Sequence, residues 1–140
     1  MSILQGQTTS FKVGLYNGQF NLASDTIKMA LYTGNANLNQ TTTAYTSVNE
    51  VSGTGYTAGG QVMTGVTISY DATNSVAYVN FANVVWNPAA FTARCALIYD
   101  ATASNASIAV IDFGADKTCT NTFTVTMPAN TYSTALIRSA

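Results

Sequence analysis

Histidine is absent from this chain of 140 residues. Histidine is the side chain that most often acts as a general base near neutral pH, and it is the most common metal ligand. Its absence excludes a Ser-His-Asp triad and leaves Cys95 and Cys119 without the usual activating partner. Those two cysteines, separated by a strand and a loop, also lack the ligand set of a zinc site. We therefore expect no enzymatic activity, no cofactor, no metal and no disulfide, with both cysteines as inert thiols.

Charged side chains are also scarce, at 8% of the residues, and the net charge is −1. Nucleic-acid binding rests largely on Lys and Arg residues that meet phosphates, so nucleic acid is not an expected partner. The polar surface must be built instead from Thr, Ser, Asn, Gln and Tyr. A low net charge gives little repulsion between copies, which suits a protein that becomes part of an assembly.

Long apolar runs are missing as well. None approaches the roughly 18 residues that a transmembrane helix needs. The opening MSILQGQTTSFKVG has neither the charged start nor the long apolar core of a signal peptide. These absences predict a protein that does not associate with a membrane and that is made and folded in the cytoplasm of its host cell.

The pattern that is present repeats every two residues, as in β-strands. TFTVTMP sets Phe123, Val125 and Met127 against three threonines, and SIAVIDFG is apolar enough for a strand buried on both faces. The strand FTARCALIYD is predicted to place five side chains on one face, namely Phe91, Ala93, Cys95, Leu97 and Tyr99. Turn-forming clusters such as YDATNS and DATASNA separate these runs. We predict an all-β fold, an antiparallel sandwich or barrel, with a jelly-roll-like β-sandwich as the preferred form.

The N-terminal third is ambiguous. SFKVGLYNGQFNLASD fits a strand through Phe11, Val13 and Leu15, but it also fits a short helix weakened by Gly14 and Gly18. Residues 1–10 are interpreted as a polar N-terminal arm, either a frayed tail or a segment that orders on a neighbouring molecule. Residues 11–140 are predicted to form a single sandwich domain. Removal of the arm is then expected to leave the fold intact.

Six carboxylates remain as candidate polar sites, and five of them are aspartates in or beside turn signals. Asp112 is the most interesting, because it lies inside an apolar run close to Asp116 and Lys117. A pair of catalytic carboxylates or a calcium loop of Asp112 and Asp116 can be imagined. Neither matches a defined motif, so turn capping or a local ion pair is the preferred interpretation.

Aromatic side chains supply the candidate contact residues. Trp86 precedes Asn87-Pro88 at the end of a strand and is predicted to fill the core. The tyrosines in or near loops are better placed to touch a partner. With the apolar residues of the arm and one threonine, they give the predicted set of partner-contact residues: Met1, Ile3, Leu4, Tyr45, Tyr56, Thr57 and Tyr132.

A glycine-rich segment, GTGYTAGG, covers residues 53–60. Its spacing differs by one residue from the dinucleotide fingerprint G-x-G-x-x-G, which also requires a helix to follow the loop. Here the β-rich run QVMTGVTISY follows, and the Gly-Lys-Ser/Thr of a P-loop is missing. We interpret the segment as a sharp corner between strands, in which glycine permits positive φ angles, and not as a phosphate-binding loop.

Several of these segments together resemble a group of small structural proteins of tailed bacteriophages. The shared patterns are SDTIKxALYT, the corner NEVSGTGYTAGG, the strand FTARxALIYD and the turn VxDFGxDKT, and the likeness extends from Phe20 to Arg138. The N-terminal stretch departs most, since Gly14 and Gly18 stand where such proteins are more helical.

The resemblance implies a virion component without catalytic residues, of the capsid cement or decoration type. The implied partner is the major capsid protein, on the exterior of the capsid. A closed homo-oligomer is expected around a capsid symmetry axis, with a dimer favoured. The alternatives are a tail, neck or fibre-associated virion protein, and a module that binds host glycans through its tyrosines.

Overall fold

A computed structural model describes residues 3–139 of the chain. It contains ten β-strands and one short helix. The elements in chain order are β1 (Gly6–Gln7), α1 (Thr9–Tyr16), β2 (Ile27–Tyr32), β3 (Gln61–Val62), β4 (Thr67–Asp71), β5 (Val76–Asn80), β6 (Val84–Trp86), β7 (Phe91–Asp100), β8 (Ala106–Cys119), β9 (Phe123–Val125) and β10 (Ile137–Ser139).

All pairs of named strands are antiparallel, and they form three sheets. The largest has the order β1-β8-β7-β2-β3, and the other two are β10-β5-β4 and β6-β9. The all-β class, the antiparallel pairing and the short N-terminal helix are therefore confirmed. The arrangement is sandwich-like, with the two smaller sheets forming a second layer, whereas the jelly-roll topology stays a prediction.

The central part of the five-stranded sheet, around β2 and β7, is buried on both faces. Ile27, Met29 and Leu31 of β2 contribute to the main core, as their alternation predicts. The intervening Ala30 and Tyr32 belong to a second apolar cluster on the opposite face. Residues 33–50, which we call the outer layer, cover that face and add the buried Ala36 and Leu38 and the half-buried Tyr45 to the second cluster.

The predicted face of β7 is wrong beyond Ala93. Phe91 and Ala93 belong to the main core, but Cys95, Leu97 and Tyr99 belong to the second cluster. The pairing of β7 with β8 is irregular between Ala93 and Cys95. A β-bulge at that point interrupts the alternation of side chains, so that the residues that follow change faces.

The C-terminal strands follow the sequence pattern more closely. Phe123, Val125 and Met127 are buried, while the threonines between them are exposed. Trp86 is buried in the main core, which confirms its predicted role. The apolar run in β8 is buried from Ser107 to Val110, where the strand lies between β1 and β7.

The ambiguous stretch near the N-terminus is a helix, so the alternative strand is wrong. Thr8 caps α1, since its hydroxyl oxygen accepts a hydrogen bond from the amide of Phe11 at 3.3 Å. The ring of Phe11 is buried and meets Phe20 edge-on, with ring centroids 4.9 Å apart. Gly14 is required in the helix because a Cβ atom there would stand 2.4 Å from the Phe20 ring.

The described part of the arm, residues 3–10, is ordered against its own chain. Gly6 and Gln7 pair with Val110 and Ala109 of β8. Ile3 forms a bridge with Leu38 and packs on the second cluster. The segment is therefore part of the sheet and of the helix start, and the boundary predicted at residue 10 falls inside α1.

Candidate functional site

The carboxylate of Glu50 is the centre of a connected group of polar side chains. The hydroxyl of Tyr45 donates to its Oε1 atom at 2.7 Å, and the hydroxyl of Tyr56 donates to Oε2. The amide of Gly59 also donates to Oε2, at 2.8 Å. The backbone of Glu50 is held beside Tyr32 by an antiparallel bridge. The carboxylate thus ties the outer layer to the glycine-rich corner.

Two further tyrosines extend this group. The hydroxyl of Tyr99 donates to the carbonyl of Gly59 at 2.6 Å, and that of Tyr32 donates to the carbonyl of Thr46 at 2.6 Å. The Tyr56 hydroxyl in turn accepts the amide of Leu31 at 2.9 Å. We call Glu50 with Tyr32, Tyr45, Tyr56 and Tyr99 the Glu50 cluster.

The Glu50 cluster holds its tyrosines in the protonated form. Burial raises the pKa of each of the four hydroxyls, and the negative charge of Glu50 or a hydrogen bond to it raises each pKa further. A phenolate would have to form beside a carboxylate and away from water, which disfavours it. The hydroxyls therefore act as hydrogen-bond donors that fix loops, and they are not suited to act as bases or nucleophiles.

The glycine-rich segment is a corner, as its sequence context predicts. Gly55 has a φ of +83°, and a Cβ atom there would stand 2.0 Å from the carbonyl oxygen of Pro88. Gly60 has a φ of +81°, and a Cβ atom there would stand 1.8 Å from the carbonyl oxygen of Met29. Strand β3 follows, so no helix N-terminus is available to bind phosphate. The Gly59 amide is already directed at the carboxylate of Glu50.

The predicted contact residues of the arm lie beside the outer layer. Leu4 is 51% exposed, and its amide donates to the carbonyl of Leu38 at 2.9 Å. Ile3 is half-buried against the second cluster, which also receives the ring of Tyr45. The structure thus brings Ile3, Leu4 and Tyr45 to one side of the molecule. Met1 lies outside the described residues.

The remaining predicted contact residues divide into two groups. Tyr45 and Tyr56 are half-buried, and their hydroxyls meet on Glu50. Their rings pack inward, Tyr45 against Tyr99 and Tyr56 against Trp86. These two side chains support the surface. Thr57, next to Tyr56, is exposed and free to meet a partner, as is Tyr132 in the connection between β9 and β10.

Several exposed apolar residues were not predicted as contacts. Tyr16 at the end of α1 is 94% exposed, and Tyr70 on β4 is 77% exposed beside the exposed Ile68. The alternation in QVMTGVTISY places Ile68 and Tyr70 on one face, but it does not say which face of that sheet meets the core. Glu50 was missed because no motif marks it, although its partners lie within nine residues of it in the connection between β2 and β3.

Cys95 and Asp112 lie in surroundings that agree with the interpretations preferred from the sequence, an inert thiol and a carboxylate in a turn or local ion pair. Cys95 is completely buried, and burial, with a smaller contribution from Asp112, raises the pKa of its thiol to about 12. Asp112 lies 3.5 Å from the guanidinium of Arg94 and accepts the amide of Gly114 at 2.8 Å. This is the local ion pair and turn contact that the sequence favours. Within residues 3–139, no three Cys, Asp or Glu side chains come together in a way that could hold a metal ion.

A second pair of carboxyl groups was not predicted. Asp100 is completely buried at the end of β7, and its Oδ1 atom accepts the amides of Thr102 and Ala103 at 2.9 and 3.0 Å. Burial raises the pKa of Asp100 to about 6, and the neighbouring carboxyl of Asp25 adds to the shift. The interaction with Asp100 in turn lowers the pKa of Asp25.

A broad groove lies between the two layers of strands. Its volume is about 1100 Å³, and its lining comes from β1, β8, β9 and the residues around β10. Lys12, Lys117 and Arg138 lie along it, and no Asp or Glu is among the lining residues.

Comparisons with known proteins identify no relative: no family model, no curated protein and no solved structure matches the chain. In residues 3–139 there is no helix long and apolar enough to cross a membrane.

Proposed function

We propose that the chain is a non-enzymatic structural protein of a tailed-bacteriophage virion, a cement or decoration protein that binds the outside of the capsid. Its partner is the major capsid protein, whose shell it stabilises. Copies of the chain form a closed homo-oligomer, with a dimer favoured. The proposal is supported by the resemblance of residues 20–138 to small virion proteins and by the scarcity of charged side chains.

The observation that carries the proposal is the construction of the corner NEVSGTGYTAGG, one of the segments that together carry the resemblance. Glu50 and the tyrosines hold this corner from within, while Ser52, Thr54 and Thr57 are exposed on its outside. A rigid surface of uncharged polar groups can pack on a neighbouring subunit without burying unpaired charge, which would be costly. It also loses little conformational freedom on binding.

Catalysis receives no support from the same residues. The tyrosine hydroxyls of the Glu50 cluster stay protonated, and the Cys95 thiol is buried with a raised pKa. Glycan binding is also less well supported. The rings of Tyr45 and Tyr56 stack on other aromatic rings of the chain and are not presented at the surface for a sugar to stack on.

The deciding measurement is the number of copies of the chain per major capsid subunit in purified virions, by calibrated mass spectrometry. A cement role predicts a ratio of the same order as that of the capsid protein. A few copies per particle would overturn the cement role and indicate the tail or neck. Absence from virions would overturn the virion role altogether and leave glycan binding as the remaining alternative.

A binding assay can then test the contact residues. Purified chain is added to shells that lack it, and the bound fraction is measured by sedimentation. Thr57→Ala and Tyr132→Ala are expected to weaken binding, because both side chains are exposed and neither is part of the Glu50 cluster. Tyr70→Ala, at an exposed tyrosine outside the predicted set, is the control, and an equal loss in this variant would contradict the predicted contacts.

A further inference from the structure

The second layer of the sandwich is interrupted. Strand β9 pairs only with β6, and β10 pairs only with β5, so that within residues 3–139 no ladder joins β9 to β10. The groove of about 1100 Å³ lies at this interruption. Residues 122–128 line one side of it, and residues 134–136 with Arg138 line the other. Its floor is formed by β8 of the five-stranded sheet.

The groove combines an apolar floor with cationic ends. Its apolar lining includes Ile111, Phe113, Phe123, Val125 and Leu136. Three of the five Lys and Arg residues of the chain lie along it. Lys12 and Arg138 share one end, near the pairing of β1 with β8, and Lys117 lies at the far end of β8. Among the described residues, none of the three is within 4.0 Å of a carboxylate.

Strand β9 offers its second edge to this groove. Unpaired amide and carbonyl groups along a strand edge are a template for another strand, and extended peptides use such edges in several recognition modes. An added strand lies about 4.8 Å from its neighbour and directs alternate side chains to opposite faces. In this groove, one set of side chains would meet the apolar floor and the other would reach the cationic rim.

We propose that the groove binds an extended acidic segment of a partner polypeptide, which adds a strand to the free edge of β9. Acidic residues of the segment pair with Lys12, Lys117 and Arg138, and the apolar residues that alternate with them cover the floor. The three cations are spread along the groove and do not converge on one point, which favours an extended chain over a compact anion. The proposal deepens the proposed function and rests on it only for the identity of the partner, the shell protein.

A synthetic peptide tests the groove without a virion. The probe is a blocked peptide of about seven residues in which Asp and Val alternate, titrated into the full chain by calorimetry at low salt. Two peptides of the same length serve as controls, one with Lys in place of Asp and one N-methylated at alternate residues. The Asp-Val peptide is expected to bind, and both controls are expected to bind at least about tenfold more weakly, since one lacks the charge and the other the backbone donors.

Substitutions locate the site. Lys117→Gln and Arg138→Gln are each expected to weaken binding roughly threefold to tenfold. Lys28→Gln, at a cation that does not line the groove, is the matched control and should bind like the parent. All three side chains are partly or fully exposed, so the fold should be retained.

The proposal would be overturned if the Asp-Val peptide did not bind or if the N-methylated peptide bound equally well. An equal loss of binding in Lys28→Gln would also overturn it. Amide chemical shifts give a further check, because they should change most at residues 122–126. Changes confined to β4, an edge strand that does not line the groove, would also overturn it. The copy number in virions bears on none of these results, so the two proposals can fail independently.

Discussion

Gly60 lies so close to the carbonyl group of Met29 that a Cβ atom on Gly60 would stand 1.8 Å from the carbonyl oxygen. The contact fixes the glycine-rich corner against β2, a strand that contributes side chains to both the main core and the second cluster. It occurs where the chain also needs a positive φ, so two constraints coincide at one residue.

Gly60→Ala is therefore expected to destabilise the fold by more than the strain of its backbone alone. That strain is roughly 1–2 kcal/mol for a side chain in the left-handed region. Gly18→Ala is the matched control, because Gly18 has a φ of +71° but no atom within 4 Å of the added Cβ. Urea unfolding of both variants gives the comparison, and equal losses would contradict the close contact as the cause.

Glu50→Gln is expected to lower the free energy of unfolding by about 1–3 kcal/mol, because an amide has only one acceptor oxygen for the three donors that now meet the carboxylate. Asp116→Gln, at an exposed acid outside the cluster, should change stability by less than about 0.5 kcal/mol. Chemical denaturation with fluorescence of Trp86 measures both. A neutral effect at Glu50 would mean that the corner is held by packing alone.

Asp100→Asn should change how stability depends on pH. Burial raises the pKa of Asp100 to about 6, above its unfolded value of about 3.9, so the folded chain binds this proton more tightly. The contribution of Asp100 is then fully favourable below about pH 4 and is lost as pH rises through about 6. The lowered pKa of Asp25 acts in the opposite sense, with stability present above about pH 4 and lost at lower pH.

The asparagine retains the oxygen that accepts the amides of Thr102 and Ala103 but carries no charge. We expect Asp100→Asn to gain about 1–3 kcal/mol relative to the parent between about pH 4 and about pH 7. Asp71→Asn is the control, since Asp71 accepts the amide of Asn74 in an exposed turn. A difference between Asp100→Asn and the parent that is the same at both pH values would contradict the raised pKa of Asp100.

Thr8→Ala is expected to cost about 1–2 kcal/mol, because the buried hydroxyl caps α1 and also accepts the hydroxyl of Ser107 at 2.9 Å. Thr9→Ala, at the exposed neighbour, is the control. The same contacts predict that deletion of residues 1–10 destabilises the fold, in contrast to the expectation from the sequence. Thermal unfolding distinguishes the two, and an unchanged midpoint in the deletion variant would support a detachable arm.

The sequence predicted those features that depend on neighbours along the chain. Alternation in TFTVTMP correctly assigned the buried side of β9, because side chains of a strand alternate whatever their partner is. The change of face in β7 could not be read in this way, since the bulge between Ala93 and Cys95 depends on how β8 pairs with it. The sequence does not distinguish helix α1 from a strand, because Gly14 weakens the helical pattern. Packing against Phe20 nevertheless requires that glycine.

The candidate sites depend on contacts that no local sequence pattern marks. Glu50 was one of six carboxylates with no distinguishing motif, and only folding brings Tyr45, Tyr56 and Gly59 to it. A glutamate between loop tyrosines and beside a glycine-rich corner is the one signal that could have identified it. No sequence pattern marks the groove, because it lies where β9 and β10 do not pair with each other.

Contacts between residues far apart in the sequence also constrain how the protein is produced. Gly6 pairs with Val110, and the side-chain amide of Gln7 donates at 3.0 Å to the carbonyl of Arg138, 131 residues further along. Such pairing is non-local, and all-β chains of this kind fold in milliseconds to seconds. Residues as far as Arg138 must leave the ribosome before β1, β8 and Arg138 can meet. The groove that they line is therefore incomplete in any shorter nascent chain, which has no complete binding surface there to engage a partner too early.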